Sequence, residues 1–320
     1  MKKYSITGIC FVALTISNFI TAETYKIAFG SCLDQDYPQP IWQSIKNEDV
    51  NSFIFLGDNV YGDLPSGKLN KMKKAYAHQK KLIPDWLFKK DVSVIWDDHD
   101  YGLNDGGRDY SFKKESQKMF LDFWEIPNND IRSSREGIYF SQNKIFFNKK
   151  FKLIFLDTRY FRSPLAGPKG KYLKNKSTDS TILGINQWKW LEKELDEYFD
   201  FLIIFSSIQI IPEDHGYEKW GNFPNDRDKF FSLLEQSANK TLLVSGDRHL
   251  GGIYKKDGLF EITASSLNKP GSIFFETDKY LLDKTYNQEN YGIIEIFENN
   301  IELKLKNKSG KSLNSISISY

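Results

Sequence analysis

The chain is poor in cysteine, with Cys10 and Cys32 the only two among 320 residues. No disulfide framework can organise such a protein, so a hydrophobic core has to hold the fold together. Histidine is scarce as well, at four residues, and each one can be weighed singly. Surplus charge of one sign is missing, since 44 basic residues face 42 acidic ones. That balance makes no general electrostatic case for binding nucleic acid or an anionic membrane. Past residue 22 no apolar run is long enough to cross a bilayer, which takes about 20 residues. Internal repeats and a clear domain break are also lacking.

At the start of the chain, Lys2 and Lys3 precede a mostly apolar stretch from Ile6 to Ile20, and Ile20-Thr-Ala22 fits a small-residue cleavage site. The pattern predicts a secretory signal peptide over residues 1–22, cleaved after Ala22. A secreted or periplasmic protein follows, with one domain over 23–320 and no stable membrane span. Cleavage would remove two lysines and no acid, leaving 42 basic and 42 acidic residues. It would also leave Cys32 alone. A lone thiol in an oxidising compartment is buried and inert, paired with another molecule, or bound to a metal.

Hydrophobic residues make up 40% of the chain and aromatics 15%, enough for a sizeable core rich in Phe and Tyr. The apolar runs share one grammar. Phe53-Ile-Phe-Leu56 leads into Gly57-Asp-Asn-Val-Tyr61, and Tyr25 to Gly30 leads into Ser31-Cys32. Val92 to Trp96 ends in Asp97-Asp-His-Asp100, Phe151 to Leu156 in Asp157-Thr-Arg159, and Thr241 to Ser245 in Gly246-Asp-Arg-His249. Short apolar runs of this kind read as buried strands. In open α/β sheets ligands sit beyond the carboxyl ends of the strands, so five strands are predicted to deliver Cys, Asp, Tyr, His and Arg to one rim.

Helices are expected over Lys68–Leu82, Lys113–Trp124, Asn186–Tyr198 (capped by Asn186) and Asn225–Gln236. Strands are expected at 138–141, 145–147 and 151–156, with turns at Gln142–Lys144 and Asn148–Lys150. After a further strand at Phe201–Phe205, the chain beyond His249 reads almost wholly as strand, at Gly252–Tyr254, Leu259–Thr263, Gly292–Phe297 and Ile301–Leu305, its last ten residues forming an edge. Helix-flanked strands alternating with hairpins fit two packed mixed sheets with helices outside.

Asp97-Asp-His-Asp100 crowds three carboxylates around one imidazole, and like charges that close repel unless a cation lies between them. A solvated acidic turn capping the next helix is the plainer reading. Carboxylates and His suit divalent or trivalent metals, whereas a thiolate and a phenolate favour a transition metal. Cys32 with Tyr61 therefore hints at iron, and the remaining oxygen donors would suit calcium or another hard divalent ion. His78, in a Lys-rich helix, reads as a surface residue, and His215, in a polar aromatic loop, as a structural hydrogen-bonding group or a pocket wall.

Taken in order, Gly30-Ser-Cys32, Gly57-Asp-Asn-Val-Tyr61, Trp96-Asp-Asp-His-Asp100, Leu156-Asp-Thr-Arg159 and Gly246-Asp-Arg-His249 resemble the motif series of the alkaline phosphatase D (PhoD-like) family, within the calcineurin-like metallophosphoesterases. The resemblance runs from about Tyr25 to His249. It implies an α/β fold, a four-layer αββα sandwich with a metal cluster at the strand ends. It also implies ferric iron held by Cys32, Asp58 and Tyr61, and calcium or another divalent metal completed by Asp58, Asp98, Asp247 and His249. His99 and Arg159 would be the catalytic groups on the substrate phosphoryl, with Asn59 and Arg159 binding substrate. The implied activity is hydrolysis of phosphate esters by metal-activated water, as in alkaline phosphatases and phosphodiesterases. Alternatives are a phosphodiesterase for lipid or polymer diesters and a non-catalytic metal-binding protein. The wider superfamily has a further histidine after a strand where this chain has Ser206-Ser-Ile-Gln209, which bears on the last alternative.

Overall fold

A computed structural model describes residues 24–237, 240–271 and 275–319. The predicted signal peptide, with its cleavage point after Ala22, lies outside the described residues. Among them, no helix is long and apolar enough to cross a membrane.

The chain runs β1 (Tyr25–Gly30), α1 (Ile41–Asn47), β2 (Ser52–Leu56), α2 (Met72–Gln79), β3 (Asp91–Ile95), α3 (Asp98–Tyr101), α4 (Lys113–Phe123), α5 (Ile131–Ser134), β4 (Phe140–Phe146) and β5 (Lys149–Phe155). It continues through α6 (Gly184–Leu195), β6 (Phe201–Ser206), α7 (Pro224–Ser237), β7 (Lys240–Ser245), β8 (Gly251–Lys256), β9 (Leu259–Ala264), β10 (Leu281–Tyr286), β11 (Asn290–Ile296), β12 (Asn300–Asn307) and β13 (Ser312–Ser319). One sheet has the order β13-β12-β11-β1-β2-β3, the other β10-β8-β9-β7-β6-β5-β4. Both are mixed, with parallel pairing at β1-β2-β3 and β5-β6-β7-β9 and antiparallel pairing toward the edges.

Side-chain alternation builds the layers. Phe151, Leu153 and Phe155 of β5 belong to the large core that also holds Phe29, Ile54 and Ile294 of the other sheet. Their neighbours Ile154 and Leu156 pack with Trp188, Leu191 and Leu195 of α6 and Phe230 and Leu234 of α7. A strand covered on both faces is apolar on both, which is why Leu153 to Leu156 show no polar alternation, and Lys152 within the same strand is ion-paired to Glu194 and Glu197. On the first sheet, Phe53 and Phe55 meet Trp42 of α1 at ring-centroid distances of 5.4 and 6.0 Å, and Phe55 meets Trp124 just past α4 at 4.7 Å. The result is the four-layer αββα sandwich expected from the sequence.

Several local expectations are corrected. Gln142–Lys144 is not a turn but the middle of β4, paired through to β5. Its polar residues reach the other sheet instead, Gln142 Nε2 donating to Ser93 Oγ at 3.1 Å and Lys144 Nζ to Asp91 Oδ2 at 2.6 Å. The chain reverses at Phe147 and Asn148, both left-handed (φ 50° and 63°), as a two-residue hairpin turn requires. α6 starts before Asn186, because the Thr181 hydroxyl accepts the Gly184 N–H at 3.0 Å. α2 is shorter than expected, with its buried residues at Met72, Ala75, Tyr76 and Gln79. β10 was not anticipated, whereas β13 is the edge strand expected for the chain's end.

Register sets the site. Gly30 pairs with Phe55 and Leu56 with Ile95, while Ser206 and Thr263 both pair with Ser245. Strand ends are thus level within each sheet, and the loops that follow emerge together.

Candidate metal centre

Four residues at these strand ends have left-handed backbone: Cys32 (φ 57°), Asp58 (51°), Asp247 (69°) and His249 (54°). Such conformations are uncommon for non-glycine residues and gather at functional sites. Two glycines let the turns close on one another. A Cβ on Gly57 (φ 100°) would lie 2.5 Å from Asp97 Cβ, and one on Gly246 would lie 2.6 Å from Ser31 Oγ.

Asp58 is the hub. Its Oδ2 lies 3.5 Å from Cys32 Sγ and accepts from the Tyr61 hydroxyl at 3.2 Å, while its Oδ1 accepts the His99 N–H at 3.3 Å. Three groups of donors converge there, each with its atoms within 4.8 Å of one another: Cys32, Asp58 and His249; Asp58, Asp98 and His99; and Asp58, Asp97 and Asp247. Tyr61 OH is 3.5 Å from His249 Nε2. His249 donates Nδ1–H to the Lys269 carbonyl at 2.5 Å, which leaves Nε2 as the lone-pair nitrogen facing the cluster. Burial also lowers its pKa, favouring the neutral, ligating ring.

The electrostatics ask for a cation. Burial, then neighbouring acids, push the carboxyls of Asp58 and Asp247 far above the usual carboxylate range. Burial likewise raises the Cys32 thiol and the Tyr61 phenol. Asp97 Oδ2 and Asp98 Oδ1 are buried without a hydrogen-bond partner among the described residues. Multivalent ions would reverse each of these shifts and satisfy those oxygens, so the residues fit a metal cluster.

His99 is placed differently. Its Nδ1 bonds Asp63 Oδ1 at 2.7 Å, and Nε2 stands 3.9 Å from Asp98 Oδ1. Burial would lower its pKa, but Asp98, Asp58 and Asp63 together raise it well above the ordinary value. The ring lines a cleft of about 220 Å³ with Asp58, Asp98, Asp247, Arg248 and His249.

The two residues expected to bind substrate are not on that cleft. Arg159 is fully buried, its Nε donating to Asp97 Oδ1 at 2.6 Å and its Nη1 to Glu218. Glu218 also takes Arg162 Nε at 2.6 Å. With its donors turned inward, Arg159 clamps the wall of the site. Asn59 is buried too, its amide nitrogen donating to the Ile95 carbonyl at 2.9 Å and to Asp100 Oδ2 at 2.5 Å. Within the Ser206–Gln209 segment, Ser207 Oγ donates to Asp97 Oδ1 at 2.6 Å. His78 is exposed, 3.6 Å from Asp36, and His215 is a structural group whose Nδ1 accepts the Tyr217 N–H at 3.2 Å.

Sequence reasoning passed over Asp97, Asp63, Glu218 and Arg248. Asp97 and Arg248 stand inside the strand-end motifs, Asp63 lies two residues past Gly57-Asp-Asn-Val-Tyr61, and Glu218 lies in the polar aromatic loop with no signal of its own.

Solved structures place this architecture. The structure of PhoD is similar with a TM-score of 0.67 and 14% identity, over 92% of this chain and 68% of that one. Purple acid phosphatase PPD1 from yellow lupin seeds matches with a TM-score of 0.63 and 11% identity, over 93% of this chain and 54% of that one. GAP50, described as the anchor in the inner membrane complex of Plasmodium, matches with 0.63 and 14%, over 92% and 89% of the two chains. No curated protein matches the sequence. The fold is that of the metallophosphatases, and the donors gathered at its strand ends are those a metal-dependent phosphoesterase needs. The model of the PhoD-like phosphatase family matches residues 89–277, more than half of the chain, and the chain belongs to that family. The matched span contains Asp98, His99, Asp247 and His249, whereas Cys32, Asp58 and Tyr61 precede it.

Proposed function

We propose that the protein is an exported phosphoric ester hydrolase of the alkaline phosphatase or phosphodiesterase type, with Asp58 among the residues that would hold each of its metal ions. The observation that carries this reading is that all three donor groups share Asp58. Cys32, Asp58 and Tyr61 would hold ferric iron, since thiolate and phenolate donors favour a transition metal. Asp58, Asp98, Asp247 and His249 would complete sites for calcium or another divalent ion. Bound there, the ions would supply Lewis acidity toward the phosphoryl oxygens and toward a water molecule.

The protein's own groups do the rest. Asp58 accepts from the Tyr61 hydroxyl and the His99 N–H, Asp98 accepts from the Asp105 N–H, and His249 is held in its ligating tautomer by the Lys269 carbonyl. His99, braced by Asp63 and with its pKa raised by the surrounding acids, lines the cleft, where charge would build on the phosphoryl and leaving oxygens. It can stabilise that charge and pass its proton to the leaving oxygen. Arg159 acts one step back, holding Asp97 and Glu218 in place.

The second reading, a non-catalytic metal protein, draws on Ser206-Ser-Ile-Gln209 standing where the wider superfamily has a histidine. Elemental analysis of untreated protein and its visible spectrum, with Cys32→Ser beside wild type, test the metal assignment. Iron-dependent colour lost in the variant is expected. Phosphate release from aryl mono- and diesters at neutral to alkaline pH tests the activity, and fully metallated protein that releases none would leave the non-catalytic reading.

A further inference from the structure

The cleft is heavily acidic. Besides Asp58, Asp98 and Asp247 it is lined by Asp105, Glu218 and Glu276. Beside the metal-binding residues and His99, an anionic ester entering it would meet few cationic side chains. Arg159 and Arg162 are both engaged by Glu218 and do not line the cleft, and Lys169, which does, donates to Asn104 Oδ1 at 2.7 Å. Arg248 is the one arginine among the described lining residues.

Its setting is that of a braced donor. Arg248 is 8% exposed, and one guanidinium nitrogen, Nη2, is held by Glu276. The guanidinium carbon lies 4.4 Å from the centroid of the Tyr217 ring, a cation–π contact that restricts the plane. Glu276 engages one Nη, whereas Nε is buried and has no hydrogen-bond partner among the described residues. Arginine offers five N–H donors in a fixed fork that matches phosphate oxygens two at a time. Because Arg248 sits between Asp247 and His249, its backbone is fixed by the same left-handed turn that presents both donors.

We propose that Arg248 is the substrate-binding residue for the phosphoryl group, holding its non-bridging oxygens while the metal-binding residues face the reacting side. The inference rests on the phosphoesterase reading for its ligand, though it can fail or stand separately. The ligand chemistry is a phosphate dianion or the phosphoryl of an ester.

The probe is inorganic phosphate, measured by equilibrium dialysis against the metallated full chain, with elemental analysis of every sample. Arg248→Ala is expected to weaken phosphate binding at least about tenfold at unchanged metal content, as loss of a charge-assisted paired contact would. Arg248→Lys should recover only part, since an ammonium lacks the planar fork. Equal phosphate affinity in Arg248→Ala overturns the assignment, as does wild-type protein that binds no phosphate. Should Arg248→Ala lose metal, Arg248→Lys decides. Retained metal with weakened phosphate binding supports the proposal, whereas unchanged affinity, or metal loss here too, overturns it. Wild-type protein that binds phosphate through Arg248 yet hydrolyses no ester would sink the catalytic reading and leave this one intact.

Discussion

At the ends of β1, β2 and β7, Cys32, Asp58, Asp247 and His249 turn toward a common cluster on left-handed backbone. At the ends of β5 and β6, Thr158, Arg159 and Ser207 are wholly buried and bond to one another or to Asp97. Both sets follow apolar runs of similar length, and in the sequence they look alike. The difference lies in what reaches them from elsewhere. The first set meets other electron-pair donors and so is left wanting a cation. For Arg159, that cation is its own guanidinium, set between Asp97 and Glu218. One half of the rim is thus a place for ions, and the other supplies its own positive charge as a supporting wall.

The sharpest way to break this contrast is Asp58→Asn. Asparagine tolerates the left-handed turn but lacks the charge that three donor groups share. At least one ion should be lost and turnover should fall at least about a thousandfold, because metals supply several kcal/mol to such transition states. Full metal content with unchanged turnover would remove Asp58 from the centre. On the wall, Arg159→Met keeps bulk and strands two buried acids, which should cost about 3–5 kcal/mol in urea unfolding. An unmoved unfolding midpoint together with weakened phosphate binding would instead return Arg159 to the cleft. For His99→Gln we expect a fall of about a hundredfold on esters with poor leaving groups, the scale of general acid catalysis, and less where the leaving oxygen is already acidic. An equal loss on both kinds of ester would argue against proton donation.

The smallest effect concerns the loop that brings Glu218 to the wall. Burial would raise the pKa of Glu213, but bonds from Lys279 and Arg227 overcome it and hold the carboxyl at about 2, against an ordinary 4.5. A depressed acid contributes stability above its unfolded value and loses it as pH falls toward the folded one. Thermal unfolding followed from about pH 5 down to about pH 2 should therefore show a shallower acid limb in Glu213→Gln. Identical limbs would show that this ion pair does not anchor the loop.

The architecture was legible because the central strands of both sheets are covered on both faces, which makes runs such as Phe201–Phe205 apolar throughout and easy to see. The residues that meet at Asp58 could be read as a set because each lies just past such a run. Other features could not be read this way. Gln142 and Lys144 look like turn residues, and only the edge of the opposite sheet explains their polarity. Arg159 looks like a ligand-binding arginine until Glu218, 59 residues on, is seen to occupy it. Asn59 reads as a cleft residue, but its amide is taken by Asp100 and the Ile95 carbonyl. In each case the deciding partner is distant in sequence, and local pattern carries no information about it.

The left-handed turns at Cys32, Asp58, Asp247 and His249 also affect how mutational scans of this protein should be interpreted. Alanine at such a position loses the donor atom and keeps the Cβ, so the backbone strain of about 1 kcal/mol or more is common to wild type and variant and largely cancels. Glycine loses the same donor and relieves the backbone. The difference between paired alanine and glycine variants therefore reports the strain, and the alanine variant is the fairer measure of what each ligand contributes.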